Sequence, residues 1–450
     1  MEASMTEANM MKKRSAPVIC RTIGRTLVAL AIALTVLPGS WAITSRKEHK
    51  FHNSPDGSEP ASGLVSDGAG NFYGTTDGGG LSTCGFSAPF CGTVFKMSSG
   101  EDGAWKETVL YRFKGGTDGA APSGKLAFDA AGNLYGTTVT GGNDLCNEEG
   151  CGTVFELSPN ENGTWTETVL HRFIGSTDSE EPGSGVVFDT EGNLYGAAGG
   201  GCEFECNGTI FKLTPHSDGK WTESVIYTFM GGLDGGFPSA LVVDGGGNLF
   251  GTTISGGVTQ SPCGGCGTVF ELSPSKGEKW EKTILYSFND GLDGGSPSSG
   301  VVFDGAGNLF GETYDGGSLA CPESGCGVVY ELESGNWNFS VKYTFDGVDG
   351  AKGSQPSGGL AFDRDGNMYG TTGTGGLKAC NNGNGCGTVF KLARRADGDF
   401  IFSRIYVFNG TAGASPNGGV TVDAAGNLYG TTFAGGNPNC NCGVVFAITP

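Results

Sequence analysis

One motif recurs seven times along this 450-residue chain and restricts its fold more than any other feature. It consists of an Asp, two or three small residues, and then Gly-Asn-(Leu/Phe/Met)-(Tyr/Phe)-Gly-Thr-Thr or a close variant. Successive copies begin 55 to 62 residues apart by subtraction, a period typical of stacked or circular repeat proteins. The copies start at Asp67, Asp129, Asp189, Asp244, Asp304, Asp363 and Asp423.

Each repeat is rich in residues that favour β-strands. Short runs dominated by Val, Ile, Tyr, Phe and Thr are bounded by Gly, Pro, Asn and Asp, and no window sustains a helical period. Four such runs per repeat predict four antiparallel strands, which is the composition of a propeller blade. In the second repeat the predicted strands cover residues 124–129, 133–138, 152–158 and 165–173.

The two ends of the chain predict how the repeats close into a ring. Near the N-terminus, the spacing of Phe51, Asp56 and Pro60 matches the spacing that other repeats show after their fourth strand. At the other end, the last run, at residues 443–448, corresponds to a third strand. The segment near residues 43–51 can therefore complete the seventh blade and hide its edge. An open solenoid fits less well because both ends would be unfinished. The sequence predicts an all-β fold, a seven-bladed β-propeller of four-stranded blades.

The first 42 residues have the features of a secretory signal peptide. Five basic residues lie within residues 12–25, an apolar run follows at 27–38, and Ser40-Trp41-Ala42 offers a small-x-Ala cleavage pattern. The apolar run is too short to span a membrane, and no later segment is apolar enough. We expect a signal peptide at residues 1–42 and a secreted, periplasmic or extracellular propeller at 43–450, with no membrane span.

Fourteen cysteines remain after the leader, and they form one local pair in each repeat. In an exported chain this pattern predicts disulfides before each third strand. The alternative is zinc, for which only Cys263-x-x-Cys266 has suitable spacing. The closely spaced Cys440 and Cys442 leave open whether that pair is bridged. The predicted pairs are Cys84–Cys91, Cys146–Cys151, Cys202–Cys206, Cys263–Cys266, Cys321–Cys326, Cys380–Cys386 and Cys440–Cys442.

Acidic residues are the main candidates for ligand binding. With the leader removed, 22 basic side chains face 45 acidic ones, a formal charge of −23, which disfavours nucleic acid as a partner. The loop after each fourth strand carries an Asp, except in the seventh loop at residues 409–413. These residues are either turn formers or a ring that captures a cation such as calcium, with no other cofactor expected. They are Asp56, Asp118, Asp178, Asp234, Asp293 and Asp349.

Other candidates are weaker. Glu312 replaces a Thr of the Gly-Thr-Thr motif and is a candidate acid, and the four His residues, including His171 in a Tyr position, fit packing better than catalysis. The aromatic residues at the start of the fourth strands suit either blade packing or sugar stacking. They are Trp105, Trp165, Trp221, Trp280, Trp337 and Phe400. Familiar metalloprotease, serine-hydrolase and phosphate-loop motifs are absent from the sequence.

The runs Asp129–Thr138 and Asp423–Thr432, with the following Gly-Gly and Cys-Gly-Thr-Val-Phe elements, resemble the GloVer (Gloeobacter/Verrucomicrobia-type) tandem-repeat family of exported bacterial proteins. The resemblance covers nearly all of residues 43–450. It implies export and a repeat architecture but no catalytic residues. Because such proteins often end in a surface anchor and none follows Pro450, it also implies release or display through a partner. A weaker likeness to propeller lyases concerns turn and strand residues and supports only the fold.

Together these features predict a monomeric binding or scaffold module for an extracellular polysaccharide or protein, with no catalytic chemistry identified. Two alternatives remain. A propeller-type polysaccharide lyase or glycoside hydrolase would need clustered acids or a His on the loop face or in the channel. A structural cell-surface protein would instead self-assemble.

Overall fold

The computed structural model describes residues 45–450 except 82, 85–90, 101–103, 147–148, 176–177, 201–206, 259–264, 278, 319–320, 322–324 and 348–351. The predicted signal peptide lies outside these residues. Seven antiparallel sheets form the blades of a closed β-propeller, as the sequence predicts. Within the described part of the chain, no helix has both the length and the apolar character needed to cross a membrane.

The strands, numbered in chain order, follow one another blade by blade. The first strand among the described residues is β1 (Ser45–Lys50), which belongs to the last blade. The first blade contains β2 (Val65–Ser66), β3 (Phe72–Thr76), β4 (Thr93–Ser99) and β5 (Trp105–Arg112). The second contains β6 (Ala120–Phe128), β7 (Leu134–Thr140), β8 (Thr153–Pro159) and β9 (Trp165–Arg172). The third contains β10 (Val186–Phe188), β11 (Leu194–Ala198), β12 (Thr209–Pro215) and β13 (Trp221–Thr228).

The remaining blades have the same plan, although the fourth and sixth divide their first strand in two. The fourth contains β14 (Gly236–Pro238), β15 (Val242–Val243), β16 (Leu249–Ser255), β17 (Thr268–Pro274) and β18 (Trp280–Ser287). The fifth contains β19 (Val301–Phe303), β20 (Leu309–Thr313), β21 (Val328–Leu332) and β22 (Phe339–Thr344). The sixth contains β23 (Ser354–Pro356), β24 (Ala361–Phe362), β25 (Met368–Thr374), β26 (Thr388–Arg394) and β27 (Phe400–Val407). The seventh contains β28 (Val420–Val422), β29 (Leu428–Thr432) and β30 (Val444–Thr449).

Helical structure is confined to single turns between strands. The described residues include three 3-10 helices, two of them in the loops that follow fourth strands. Their bounds are Gly116–Asp118, Gly232–Asp234 and Asn381–Gly383.

Strand β1 closes the ring. β1 pairs antiparallel with β30 from Ser45↔Thr449 to Lys50↔Val444, so it is the fourth strand of the seventh blade. Phe51 follows it and is fully buried. The prediction that the N-terminal segment joins the C-terminal blade is confirmed. Closure leaves the last blade without an unpaired outer edge on β30.

The repeated Asp residues form the hairpin turns between first and second strands. In the second blade, Asp129 Oδ1 accepts hydrogen bonds from the backbone N–H groups of Ala131 and Asn133, both at 2.9 Å. Its Oδ2 accepts from Asn133 Nδ2 at 2.8 Å and from the Tyr135 hydroxyl at 3.2 Å. These bonds explain the Asp-x-x-Gly-Asn-x-Tyr spacing as turn chemistry.

Aromatic residues pack between neighbouring blades. Trp105 of the first blade is nearly parallel to Tyr429 of the seventh, with ring centroids 5.6 Å apart, and Trp165 contacts Tyr73 at 6.4 Å. The packing interpretation of these residues is therefore confirmed for the pairs observed. Trp337 differs from its equivalents because it lies in the turn before β22, which begins two residues later, instead of starting the strand.

The cysteine loops are cross-linked and contact the next blade. Five predicted disulfides are present, including Cys440–Cys442, and Cys266 is also disulfide-bonded. The pair Cys202–Cys206 and residue Cys263 lie outside the described residues. The carbonyl of Cys151 accepts a hydrogen bond from Glu181 N of the following blade at 3.0 Å. Zinc is excluded for the five bridged pairs, because thiolates consumed in a disulfide cannot bind it.

Candidate functional site

The loops after the fourth strands and the cysteine loops lie on one face of the ring, which we call the loop face. Gly175, between His171 and Asp178, lies against the Cys146–Cys151 bridge, so close that a side-chain carbon there would be 2.9 Å from Cys146 Sγ. The predicted acidic residues lie on this face, apart from Asp349, which is outside the described residues. They are spread around the ring and do not converge on one point.

Each described acidic residue is engaged by its own loop. Asp118 accepts a hydrogen bond from the Tyr111 hydroxyl at 2.6 Å and from Lys114 N at 2.8 Å. Asp293 repeats this arrangement with the Tyr286 hydroxyl at 3.0 Å. These contacts give the residues a role in shaping the loop.

The seventh loop lacks the Asp, and Ala412 stands in its place before Gly413. Asn409 Oδ1 accepts a hydrogen bond from Ala412 N at 2.9 Å, and Arg46 of β1 bonds to the Ala412 carbonyl at 2.9 Å. The loop is therefore held from the closing strand and carries no carboxylate.

A second set of residues faces these loops from the next blade. Within each blade, one residue of the fourth strand pairs with the fifth residue of the third strand. Its side chain contacts the preceding blade, and we call this place the interblade position. Its chemistry varies around the ring, unlike that of the surrounding repeat. The residues are Arg46, Glu107, Glu167, Glu223, Lys282, Phe339 and Phe402.

The interblade residues match their neighbours by charge or by stacking at four boundaries. Phe339 stacks on Tyr286 with ring centroids 3.8 Å apart, and Phe402 stacks on Tyr343 at 4.5 Å. Arg46 lies over the Tyr406 ring at 4.8 Å. Lys282 of the fourth blade forms an ion pair with Asp234 of the third.

At the other three boundaries the interblade residue is an acid that faces the loop Asp of the preceding blade. Burial, and then the charge of Asp56, raises the pKa of Glu107 to about 7. Burial, and then the charge of Asp118, raises the pKa of Glu167 to about 7 as well. For Glu223 the pKa is likewise raised to about 7, mainly by burial, with His171 and Asp178 acting in opposite directions. These acids take up protons near neutral pH.

The first strands of the seven blades surround a central channel with a volume of about 830 Å³. Its wall consists largely of Gly, Ser and small apolar residues, and Lys125 and Glu181 are the charged residues among the described ones that line it. The first strands approach closely, since a side-chain carbon on Gly124 would lie 2.1 Å from Gly185 N. Lys125 is solvent-exposed within the channel, but the channel wall around it disfavours the charged form and lowers the pKa of its ammonium group.

Seven residues around the loop-face end of the blades have an unusual backbone conformation. Each immediately precedes a Pro at the start of a blade, is not glycine, and has φ between 53° and 59°. Such a conformation costs roughly 1–2 kcal/mol for a residue with a side chain. Each N–H donates to a carbonyl in the cysteine loop of the preceding blade, which fixes the conformation. The residues are Glu59, Ala121, Glu181, Phe237, Ser296, Gln355 and Ser415.

One sector of this ring carries exposed apolar side chains. Phe237 and Ile254 line the channel and are 47% and 39% exposed, and Met230, Leu233 and Leu292 on nearby loops are 61–78% exposed. Sequence reasoning missed this sector. The sequence does contain a signal for it, because the residue before the Pro at the start of each blade varies among Glu, Ala, Phe, Ser and Gln, whereas the neighbouring repeat residues are nearly uniform.

Glu312 does not reach the channel. It is 1% exposed, and one carboxyl oxygen accepts a hydrogen bond from Gly359 N of the next blade at 2.9 Å. Burial raises its pKa to about 8. It therefore replaces the Thr hydroxyl as a contact between blades and is not placed to act on a ligand in the channel.

Comparison with known proteins supports the repeat architecture. A family model described as the Gloeobacter/Verrucomicrobia repeat matches residues 40–204, 147–352 and 258–450. No curated protein matches the sequence.

Similar solved structures include that of an ancestral GH74 enzyme, which is 11% identical, with a TM-score of 0.55 over 90% of this chain and 51% of that one. PorZ, a surface component of the type-IX secretion system of Porphyromonas gingivalis, is 12% identical, with a TM-score of 0.45 over 88% of this chain and 47% of that one. The chain thus spans about half the length of these proteins. At such identity the likeness to the GH74 enzyme shows the fold alone.

Proposed function

Because the chain belongs to the Gloeobacter/Verrucomicrobia repeat family and forms a closed propeller, we propose that it is a binding module for an extracellular ligand. The ligand binds at the loop-face mouth of the central channel. The preferred class is a polysaccharide, whose chain end or side branch enters the channel.

The observation that carries this proposal is Phe237. A bulky aromatic residue with φ of 55° is held half-exposed at the edge of the channel. All seven x-Pro residues share this backbone conformation, so what distinguishes Phe237 is the exposed aromatic ring that it places at the channel edge. An aromatic face suits the apolar side of a pyranose ring. The serine hydroxyls and backbone groups along the channel can bond sugar hydroxyls, and Lys125 adds one strong donor.

A protein ligand is the second candidate, supported by a different observation. Leu292 is 78% exposed on the loop face, and Leu233 and Met230 are more than 60% exposed. Exposed apolar residues grouped on one surface commonly mark protein contacts. These side chains lie on loops outside the channel lining, so the two candidates can be separated by mutation.

The enzyme alternative has less support. Glycoside hydrolysis generally requires two carboxyl groups about 5–10 Å apart. Among the described residues that line the channel, Glu181 is the one carboxylate. The acid pairs at the blade boundaries hold Glu107 and Glu167 partly buried between blades instead. The structural-protein alternative requires self-association, whereas we expect a monomer.

Export is part of the proposal. Disulfides in five blades favour an oxidising compartment. We expect cleavage after Ala42, so that the exported protein starts at Ile43. N-terminal sequencing of protein recovered outside the cytoplasm checks this, and retention of residues 1–42 would contradict it.

The binding test uses the purified protein and the variants Phe237→Ser and Leu292→Ser on a panel of insoluble polysaccharides. Saturable retention that Phe237→Ser weakens at least about tenfold, and Leu292→Ser leaves unchanged, supports the polysaccharide proposal. Each supernatant is assayed for new reducing ends and unsaturated sugars. Release of such products would replace the proposal by an enzyme. Absence of retention would reject the polysaccharide class, and light scattering of the same sample would then test for self-assembly.

A further inference from the structure

Three different metal-ligating side chains meet where the second and third blades join. His171 lies in β9, Asp178 in the loop that follows, and Glu223 at the interblade position of β13. One ligand atom from each lies within 4.8 Å of the other two. His171 Nε2 is 2.9 Å from Asp178 Oδ2.

The surrounding backbone orients this cluster. Asp178 Oδ1 accepts hydrogen bonds from Ile174 N at 2.9 Å and Ser179 N at 2.7 Å, which directs Oδ2 toward His171. Glu223 Oε1 is buried and has no hydrogen-bond partner among the described residues. Glu107 Oε1 and Glu167 Oε1 are buried in the same way, and such an oxygen requires either a proton or a cation. Glu223 differs from them because a His and an Asp complete a three-ligand cluster around it, which favours a cation there.

The same place at other boundaries is occupied differently. Between the first and second blades, Tyr111 replaces the His and donates its hydroxyl to Asp118 at 2.6 Å, so no ring nitrogen is offered. Between the third and fourth blades, the Lys282 ammonium fills the position beside Asp234. His171 is thus a local departure from the repeat, and it adds a nitrogen ligand to two carboxylates.

Between the seventh and first blades, His49 also stands in the Tyr position. There, however, Asp56 Oδ2 is engaged by His52 Nδ1 at 3.1 Å, and His49 Nε2 is 3.8 Å from the same oxygen. The cluster at His171 is the more compact of the two.

We propose that His171, Asp178 and Glu223 form a site for a divalent transition-metal ion, with Zn²⁺ as the best match. Zinc accepts one imidazole nitrogen and carboxylate oxygens at about 2.0–2.2 Å. Calcium is a poorer match because it prefers oxygen ligands only and takes six to eight of them. The separations in the cluster allow all three atoms to close on one ion with small side-chain movements.

Bound metal would have two consequences. It would tie the second blade to the third, since Glu223 comes from the later blade. It would also keep a coordination position for water or a ligand, because only three protein ligands are supplied. The His171 side chain is 23% exposed on the loop face, so solvent reaches the cluster on the His171 side.

The test is Zn²⁺ titration of the purified, chelator-treated protein in competition with a fluorescent zinc indicator. His171→Tyr removes the nitrogen and installs the residue that five other blades use, so it should fold. Glu223→Gln removes a carboxylate with little change in shape. Glu167→Gln is the matched control, since Glu167 holds the same interblade position beside a Tyr. Unchanged thermal unfolding without metal shows that each variant is intact.

We expect the unsubstituted protein to bind one zinc ion per chain. His171→Tyr and Glu223→Gln should each abolish zinc binding or weaken the affinity at least about tenfold, whereas Glu167→Gln should bind zinc as the unsubstituted protein does. Co²⁺ should give visible ligand-field absorption with the unsubstituted protein and lose it in His171→Tyr. The proposal is overturned if zinc does not bind below about 100 μM, or if either ligand variant binds it as tightly as the control.

Discussion

Lys282 Nζ lies 2.9 Å from Asp234 Oδ1 across the boundary between the third and fourth blades. The lysine also bonds to the Asp234 backbone carbonyl and lies over the Phe229 ring at 4.5 Å. Its side chain is 5% exposed. An ammonium group therefore occupies the place where the calcium hypothesis would put a cation at Asp234. This relationship shows how one interblade residue determines what the loop face can bind.

Replacing Lys282 by Met should lower the free energy of unfolding by about 2 kcal/mol at pH 7, because a charged hydrogen-bonded partner is lost from a buried position. Burial opposes ionisation of Asp234, but hydrogen bonds from Tyr227, Lys282 and Met230 N outweigh it and lower its pKa. An acid whose pKa is lower in the folded state than in the unfolded state stabilises the fold at pH values above its unfolded pKa. This stabilisation disappears as the pH falls through the folded-state pKa. The difference between Lys282→Met and the unsubstituted protein should therefore shrink below about pH 4.

Urea unfolding at pH 3 and pH 7 measures this effect. Lys279→Met is the control, since Lys279 is exposed in the hairpin before β18. Equal stability of Lys282→Met and the control at pH 7 would show that the ion pair contributes nothing.

Ring closure can be tested by comparing two equivalent phenylalanines. Phe51 follows the closing strand and Phe113 follows the fourth strand of the first blade, and both are fully buried. Each packs edge-to-face on the next blade, Phe51 on Phe95 at 5.2 Å and Phe113 on Phe155 at 5.1 Å. Phe51→Ala and Phe113→Ala should each cost about 3–5 kcal/mol.

Equal losses in denaturant unfolding are expected because both residues occupy the same position in a closed ring. If Phe51→Ala cost less than about 1 kcal/mol while Phe113→Ala cost the full amount, the N-terminal strand would not be a stable part of the seventh blade.

The sequence allowed the strands, the blade number and the closing segment to be predicted because they depend on local patterns repeated seven times. Asp129 bonds within its own hairpin, so its role was readable from spacing alone. Glu223 and His171 are about 50 residues apart, and their meeting depends on how two blades pack. The left-handed backbone conformation of Phe237 could not be predicted either, because positions with that conformation are usually occupied by Gly or Asn. Contacts between blades were thus the part that local patterns could not supply.

Each disulfide should contribute only modestly to the stability of the ring. The Cys146–Cys151 bridge closes a loop with a sequence separation of only five, for which chain entropy predicts about 2 kcal/mol. Replacing both residues by Ala should therefore reduce the free energy of unfolding by about that amount and leave the fold intact. Thiol titration under denaturing, non-reducing conditions provides the companion measurement. Free thiols from any of the five observed pairs would contradict the disulfide assignment.

Restoring the repeat residue at Glu312 should stabilise the protein, and more at pH 8 than at pH 5. Burial raises the pKa of Glu312 to about 8, whereas an unfolded Glu has its ordinary value of 4.5. Between these values the folded state holds the proton more tightly than the unfolded state, so stability falls as the pH rises. Glu312→Thr removes this penalty.

The new hydroxyl should also reproduce the bond that Thr252 makes to the Pro297 carbonyl at 2.9 Å. The gain at pH 8 is on the order of 2–4 kcal/mol, and near pH 4 only the packing difference remains. Urea unfolding from pH 4 to pH 8 measures it, with exposed Glu333→Thr as the control. A difference between Glu312→Thr and the unsubstituted protein that does not grow with pH would mean that Glu312 is not held protonated in the fold.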